Sequence, residues 1–302
     1  MRRVFALVVS FLCVLLIAPA IGAQDATPMA GGTATASLLA GLGYPDLVVT
    51  SDGTTNDLPA TLAAGRYHVV LHNTNATEAI DLDFFLPPEG TSADETITAF
   101  NDSISSEVPP DIFYQLTLAG GLTALPNGTA EGIIDLTPGD WVAGIQTENE
   151  NGSNVGGAQA ISITGEMPAL TDPTVAVTAT LSDLKIDLPD SVPTGPQIWK
   201  VTNAGSMPHF IAISMSDGTL TQENVQETLG MFIGTPLPAG ATPIAESALT
   251  DVASTGVLSP GQSMWIEVDL QPGQYLAACY LSGPGELPMH AAMGMFKIFD
   301  AA

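Results

Sequence analysis

The chain has 302 residues, 45% apolar and 13% charged, with a formal net charge of −26. Such a surface repels nucleic acid and anionic lipid, which argues against polyanion binding. The apolar share is too high for a disordered chain, and the length suits two domains of ordinary size.

At the start, Arg2 and Arg3 precede an apolar run over 4–18, and small residues around Ala18-Pro-Ala20 and Ile21-Gly-Ala23 offer cleavage sites. Residues 1–23 therefore read as an export signal. The run is short for a bilayer span and stops at Pro19, and Cys13 follows Phe11-Leu12, which argues against a lipoprotein anchor. The expected mature protein has no membrane span and lies outside the cytoplasm, in the periplasm or outside the cell. Losing Arg2 and Arg3 takes the charge to about −28. A Thr/Ala/Gly-rich stretch over 24–36 reads as a flexible tether.

An internal echo follows. Ile134-Asp-Leu-Thr-Pro-Gly-Asp-Trp-Val-Ala143 parallels Val268-Asp-Leu-Gln-Pro-Gly-Gln-Tyr-Leu-Ala277, and Gly65-Arg-Tyr-His-Val-Val-Leu-His-Asn73 parallels Gly195-Pro-Gln-Ile-Trp-Lys-Val-Thr-Asn203 at nearly the same offset. The echo predicts two copies of one domain, over 37–165 and 174–302, with a linker at 166–173. Short alternating runs at 67–71, 198–202, 264–270 and 274–279 are bounded by Pro, Gly, Asn and Asp, and predict an all-β sandwich or barrel. Leu270-Gln-Pro-Gly-Gln274 is a turn signal. A short helix is expected over 222–229, capped by Thr221 and stopped by Gly230, followed by a long surface loop over 234–256.

The chemistry concentrates near the end. His209, Cys279, His290 and Met295 occur in that order, with Cys279 the one thiol left once the signal and Cys13 are removed. A lone exported Cys calls for an intermolecular bridge, a reactive thiol or a metal. Two imidazoles, a thiolate and a thioether suit copper in both of its oxidation states, and so a one-electron carrier. Taken singly, each donor has a plainer reading: a hydrogen-bonded strand-end His, a buried small Cys, a loop His, a core Met. Their joint order favours metal. Met289 and Phe210 are expected to shield the ion from water.

This tract, Cys279…Gly283…Pro288-Met-His290-Ala-Ala-Met-Gly294-Met295, resembles that of cupredoxins, the fold of plastocyanins, azurins and the type 1 copper domains of nitrite reductases. It is also similar to exported bacterial cupredoxin-like proteins with a Pro-His pair upstream, here Pro208-His209. The resemblance covers about 174–302, with a weaker echo over 37–165. It implies tandem Greek-key β-sandwiches, the second with a short helix insertion, and one type 1 copper ion. It makes His209, Cys279 and His290 equatorial ligands and Met295 the axial one, with Met293 as the rival. The Cys279-to-His290 gap is longer than in small electron-carrying cupredoxins.

The first copy places Ala79 at the His209 position, Ile145 at that of Cys279 and Gly156-Gly157 near that of His290, so it cannot build the same site. His68 and His72, four apart on one strand, are too distant to chelate one ion easily and read as surface side chains. The first copy reads as a structural or docking module. Two other functions stay open: a copper chaperone or resistance protein using Met207, Met289, Met293 and Met295, and a metal-free interaction module. Catalysis is not expected, because only His68 and His72 are left for a second copper centre and no nucleophile elbow, phosphate loop or zinc-protease motif occurs. The expected partner is a redox protein with a basic docking surface.

Overall fold

The structure, a computed structural model, describes residues 37–103, 110–148, 154–283 and 288–302. The expected export signal (1–23) and tether (24–36) lie outside the described residues.

The first copy supplies β1 (Asp46–Ser51), β2 (Thr61–Ala63), β3 (Gly65–Asn73), β4 (Ile80–Leu86), α1 (Ala93–Ser103), β5 (Thr117–Ala124), β6 (Thr129–Leu136), β7 (Gly139–Glu148) and β8 (Asn154–Thr164). The second supplies β9 (Val177–Ser182), β10 (Lys185–Asp187), β11 (Ser191–Val192), β12 (Gly195–Asn203), β13 (Ala212–Ser216), α2 (Gln222–Phe232), β14 (Leu249–Ser254), β15 (Ser263–Leu270), β16 (Gly273–Ala278) and β17 (Phe296–Ala301).

The repeat is visible in the pairing. β1 runs parallel to β3 as β9 does to β12, and β2 runs parallel to β8 as β11 does to β17. One sheet has the order β2-β8-β7-β4-β5 and another β11-β17-β16-β13-β14, while a seven-stranded sheet, β1-β3-β6-β15-β12-β9-β10, serves both copies. The fold is thus all-β, two Greek-key sandwiches in tandem. On β12 the inward residues Gln197, Trp199, Val201 and Asn203 alternate with more exposed ones, as a strand with one face on the core requires.

The shared sheet was not foreseen in the sequence. The equivalent strands β6 and β15 meet antiparallel, with Ile134 opposite Met264, Ile133 opposite Trp265 and Gly132 opposite Ile266. Equivalent strands meet in this way when two copies are related by a local two-fold axis. On the outer face, Arg66 grips Asp135 through Nε and Nη2 at 2.6 and 2.8 Å, pairs with Asp172 at 3.0 Å, and lies 3.9 Å from the Trp265 ring centroid. Asp172 also pairs with Lys200, so the segment between β8 and β9 is fastened to both copies.

Four expectations are corrected. His68 is a buried residue, 3% exposed, because Asp46 on β1 and Glu131 on β6 take its two ring nitrogens at 2.9 Å each. His72 is half-buried and bonds Thr129 Oγ1. The helix over 222–229 has its Thr221 cap in a full capping box but passes through Gly230 to Phe232. The stop is Gly234 at φ 76°, with Gly234 N bonding Met231 O and Thr235 N bonding Gly230 O, a Schellman ending. The expected loop over 234–256 includes β14, which pairs with β13. Helix α1 was not anticipated, although Ser92 and Glu95 form a reciprocal cap that the sequence spelled out.

Two acids stand two residues apart on β4: Asp83 is buried against the Gly256 segment of the second copy, and Asp81 is half-buried. Asp81 accepts from Thr123 Oγ1 at 2.6 Å, yet burial pushes it up to about 7. Burial and the Asp81 charge push Asp83 up to about 8. Both groups bind protons more tightly in the folded state, so their contribution to stability is complete below about pH 4 and is lost as pH rises through 7 to 8. The urea midpoint is expected to fall between pH 5 and pH 9, with a smaller fall in Asp83→Asn. An equal fall in the variant would contradict this assignment.

Candidate metal centre

Three strand ends converge at one pole of the second sandwich. Cys279 directly follows β16, so the strand that fills the core also delivers the sulfur. Its main chain is held on both sides, with Cys279 N bonding Met295 O at 3.1 Å and Ala291 N bonding Cys279 O at 2.7 Å. His290 N bonds Leu281 O at 2.8 Å and Met295 N bonds His290 O at 2.9 Å, which ties His290 and Met295 back to the same strand end. His209 comes from the segment before β13 and exchanges both main-chain hydrogen bonds with Leu258, at 3.0 and 2.8 Å.

The side chains then meet. His209 Nδ1 and His290 Nδ1 are 3.1 Å apart, and Cys279 Sγ lies 4.0 and 3.6 Å from them. The ligand atoms of all three residues fall within 4.8 Å of one another. His209 and Cys279 are 0% exposed and His290 1%. Met295 is likewise 0% exposed and packs in the same core as Cys279, Phe210 and Leu281, whereas Met293 is half-buried. Burial therefore favours Met295 over Met293. Of the two expected shields, Phe210 is buried and Met289 half-buried.

Burial dominates the electrostatics of the cluster and opposes charge of either sign. Burial pushes the Cys279 thiol up to about 11, against the pull of the Phe210 and Leu281 main-chain N–H groups. Burial lowers His209, opposed by Asp183. Burial and the neighbouring His209 take His290 down to about 4. Two neutral imidazoles and a thiol that resists ionisation all change character if a cation sits among them, since it compensates the thiolate and accepts the Nδ1 lone pairs. His290 Nε2 finds no hydrogen-bond partner among the described residues. This donor set, soft sulfur with imidazole in a buried pocket, fits copper.

Domain-one residues back the site. The main-chain bridge Ala119–Leu258 stands behind the His209–Leu258 pair, Gly256 N bonds Gly121 O at 3.0 Å, and Ser259 Oγ links Leu116 O and Leu118 N at 2.9 Å each. Tyr114 Oη donates to Ser282 O at 3.1 Å, within the Cys279–His290 tract. At the equivalent positions of the first copy, Ile145 on β7 is buried core and Ala79 precedes β4. Among the described residues, His209, Cys279 and His290 are the one group of this kind.

Sequence reasoning did not find Asp183, whose Oδ1 lies 3.2 Å from His209 Nε2. The turn-like Ser182-Asp183-Leu184-Lys185 marks it as a turn residue, but nothing in its spacing names His209 as its partner.

No protein-family model matches the chain, and no curated protein matches it. Among solved structures it is similar to the dithionite-reduced auracyanin of Roseiflexus castenholzii, at 25% identity over 41% of this chain and 94% of that one, with a TM-score of 0.27. It is also similar to auracyanin A, a blue copper protein of Chloroflexus aurantiacus, at 14% identity over 41% and 99% of the two chains, TM-score 0.26. A copper-containing nitrite reductase from Thermus scotoductus matches at 12% identity over 85% of this chain, TM-score 0.24, and the match spans 62% of that chain. Strand order and donor geometry, and not these likenesses, define the class: two all-β sandwiches in tandem, the second carrying a buried His–Cys–His set with Met295 in the same core. No helix among the described residues is long and apolar enough to cross a membrane.

Proposed function

We propose that the protein is an exported one-electron carrier that holds a single type 1 copper ion through His209, Cys279 and His290, with Met295 as a weak fourth ligand. The observation that carries this reading is the convergence of Nδ1, Nδ1 and Sγ, all buried, within 4.8 Å. Copper held by His209, Cys279 and His290 would supply one-electron chemistry through its two oxidation states. The chain supplies a fixed cage: donors on strand ends and hydrogen-bonded loops move little between states, which keeps reorganisation small. Phe210 and Leu281 turn their main-chain N–H groups to the sulfur and favour its thiolate form. Burial excludes water from the sulfur.

A carrier fits better than an enzyme because the sequence has four histidines, and His68 and His72 are engaged by Asp46, Glu131 and Thr129. Only these two imidazoles stand outside the site, and His68 has both ring nitrogens bonded, too few for a second copper centre built from several histidines. The strongly acidic surface favours a redox partner with a basic docking face. The signal-like 1–23 stretch supports export.

The test is redox cycling of the copper-loaded protein with a Cu(I) chelator present. An intense thiolate-to-copper band that bleaches and returns over repeated cycles, with copper retained, is the expected result. Copper lost to the chelator at each reduction would make copper the cargo, and failure to bind copper would make the domain a metal-free module.

A further inference from the structure

One carboxylate reaches the cluster from outside the tract that carries the donors. Asp183 lies in the turn between β9 and β10, next to Leu184 at φ 60°. Its Oδ1 accepts from Ser206 N at 2.9 Å and Met207 N at 3.3 Å, and its Oδ2 accepts from Ser206 Oγ at 2.7 Å. The carboxylate is thus anchored through both oxygens before it meets the imidazole. Its side chain is 40% exposed while that of His209 is 0% exposed, so the charge sits at the rim and the ring lies inside.

Gly205 leaves room for the contact. A Cβ there would stand 2.6 Å from Asp183 Oδ1 and 3.0 Å from His209 Nε2, closer than side-chain carbons pack. A glycine at this point lets the acid and the ring meet.

The carboxylate can only accept, so the contact requires a proton on His209 Nε2. The Nδ1 lone pair then faces Cys279 Sγ and His290 Nδ1. A carboxylate behind a ligating imidazole fixes its tautomer and orientation and raises its basicity. We infer that Asp183 is a positioning residue: it fixes the donor form of His209 and lowers the reduction potential of the site by favouring the more highly charged copper state. This rests on the copper reading above, and it adds a residue outside the ligand set.

The experiment has two parts, the first without metal. Nitrogen NMR of the apo-protein is expected to show His209 as the Nε2–H tautomer in the wild type and in Asp183→Asn, which keeps an oxygen acceptor, and a tautomer mixture in Asp183→Ala. The second part is voltammetry of the copper-loaded proteins. Loss of an outer carboxylate costs about tenfold or more in metal affinity. Taken against Cu(II) alone, a tenfold loss raises the potential of Asp183→Asn by about 59 mV, the one-electron equivalent of a factor of ten.

Asp183→Ala is expected to release copper faster as well. An unchanged tautomer in Asp183→Ala, or a potential in Asp183→Asn equal to the wild type or lower, overturns the proposal. If Asp183→Ala does not fold, the potential of Asp183→Asn decides alone. If the wild type binds no copper, the copper reading fails and with it the effect on potential, while the NMR result still decides the tautomer role.

Discussion

Cys279→Ser is expected to abolish the intense visible band of the copper-loaded protein and to weaken copper retention by more than about a hundredfold, beyond the range for outer-sphere changes. The hydroxyl is nearly the same size but hard and un-ionised, so the soft anionic donor is lost while the pocket keeps its shape. The fold has little reason to respond. Residue 279 is 0% exposed, and a serine oxygen there meets the Phe210 and Leu281 N–H groups that now face the sulfur. The apo variant should therefore melt close to the apo wild type, and absorption spectroscopy with a chelator competition separates the two effects. A variant that keeps the band would remove Cys279 from the site.

Gly256→Ala is expected to give the largest stability loss of any single methyl added near the site. A Cβ on Gly256 would stand 2.1 Å from Gly121 N, 2.5 Å from Gly121 Cα and 2.6 Å from Asp83 Oδ1. Two of those atoms are main chain and cannot swing aside. The segment after β14 and strand β5 must part, which adds an overpacking cost to the loss of the Gly256–Gly121 hydrogen bond, together about 3 kcal/mol. With an unfolding entropy of about 2.1 cal/mol/K per residue, that is a fall of roughly 5 °C in Tm for a chain of this size. The damage should also reach the metal centre, because Gly256 is two residues from Leu258, the main-chain partner of His209. Gly157→Ala is the control: its Cβ meets nothing within 4 Å. Calorimetry showing equal losses for the two variants would contradict the tight junction described here.

The all-β class and the repeat were legible because they rest on local signals. Alternation over 198–202 and the Pro-Gly turn after Leu270 read directly as β12, β15 and β16. The donors were legible because soft sulfur and imidazole crowded into one short tract have few uses besides gripping a metal ion, and their convergence is now seen in space. What the sequence hid is what depends on distant partners. His68 looked exposed when its own strand was considered alone, whereas Asp46 stands opposite it on β1 and Glu131 reaches it from β6. The β6–β15 seam joins strands about 130 residues apart and leaves no periodic trace. Asp183 is hidden for the same reason. The cap of α1, Ser92 with Glu95, is by contrast a local signal of helix start set among strand-like runs.

X-ray absorption at the copper edge, on the loaded wild type beside Cys279→Ser, asks most directly whether one sulfur and two imidazoles grip one ion. A short copper–sulfur contact together with two imidazole shells, the sulfur vanishing in the variant, is the outcome required. Copper surrounded only by oxygen and nitrogen in the wild type would contradict the account.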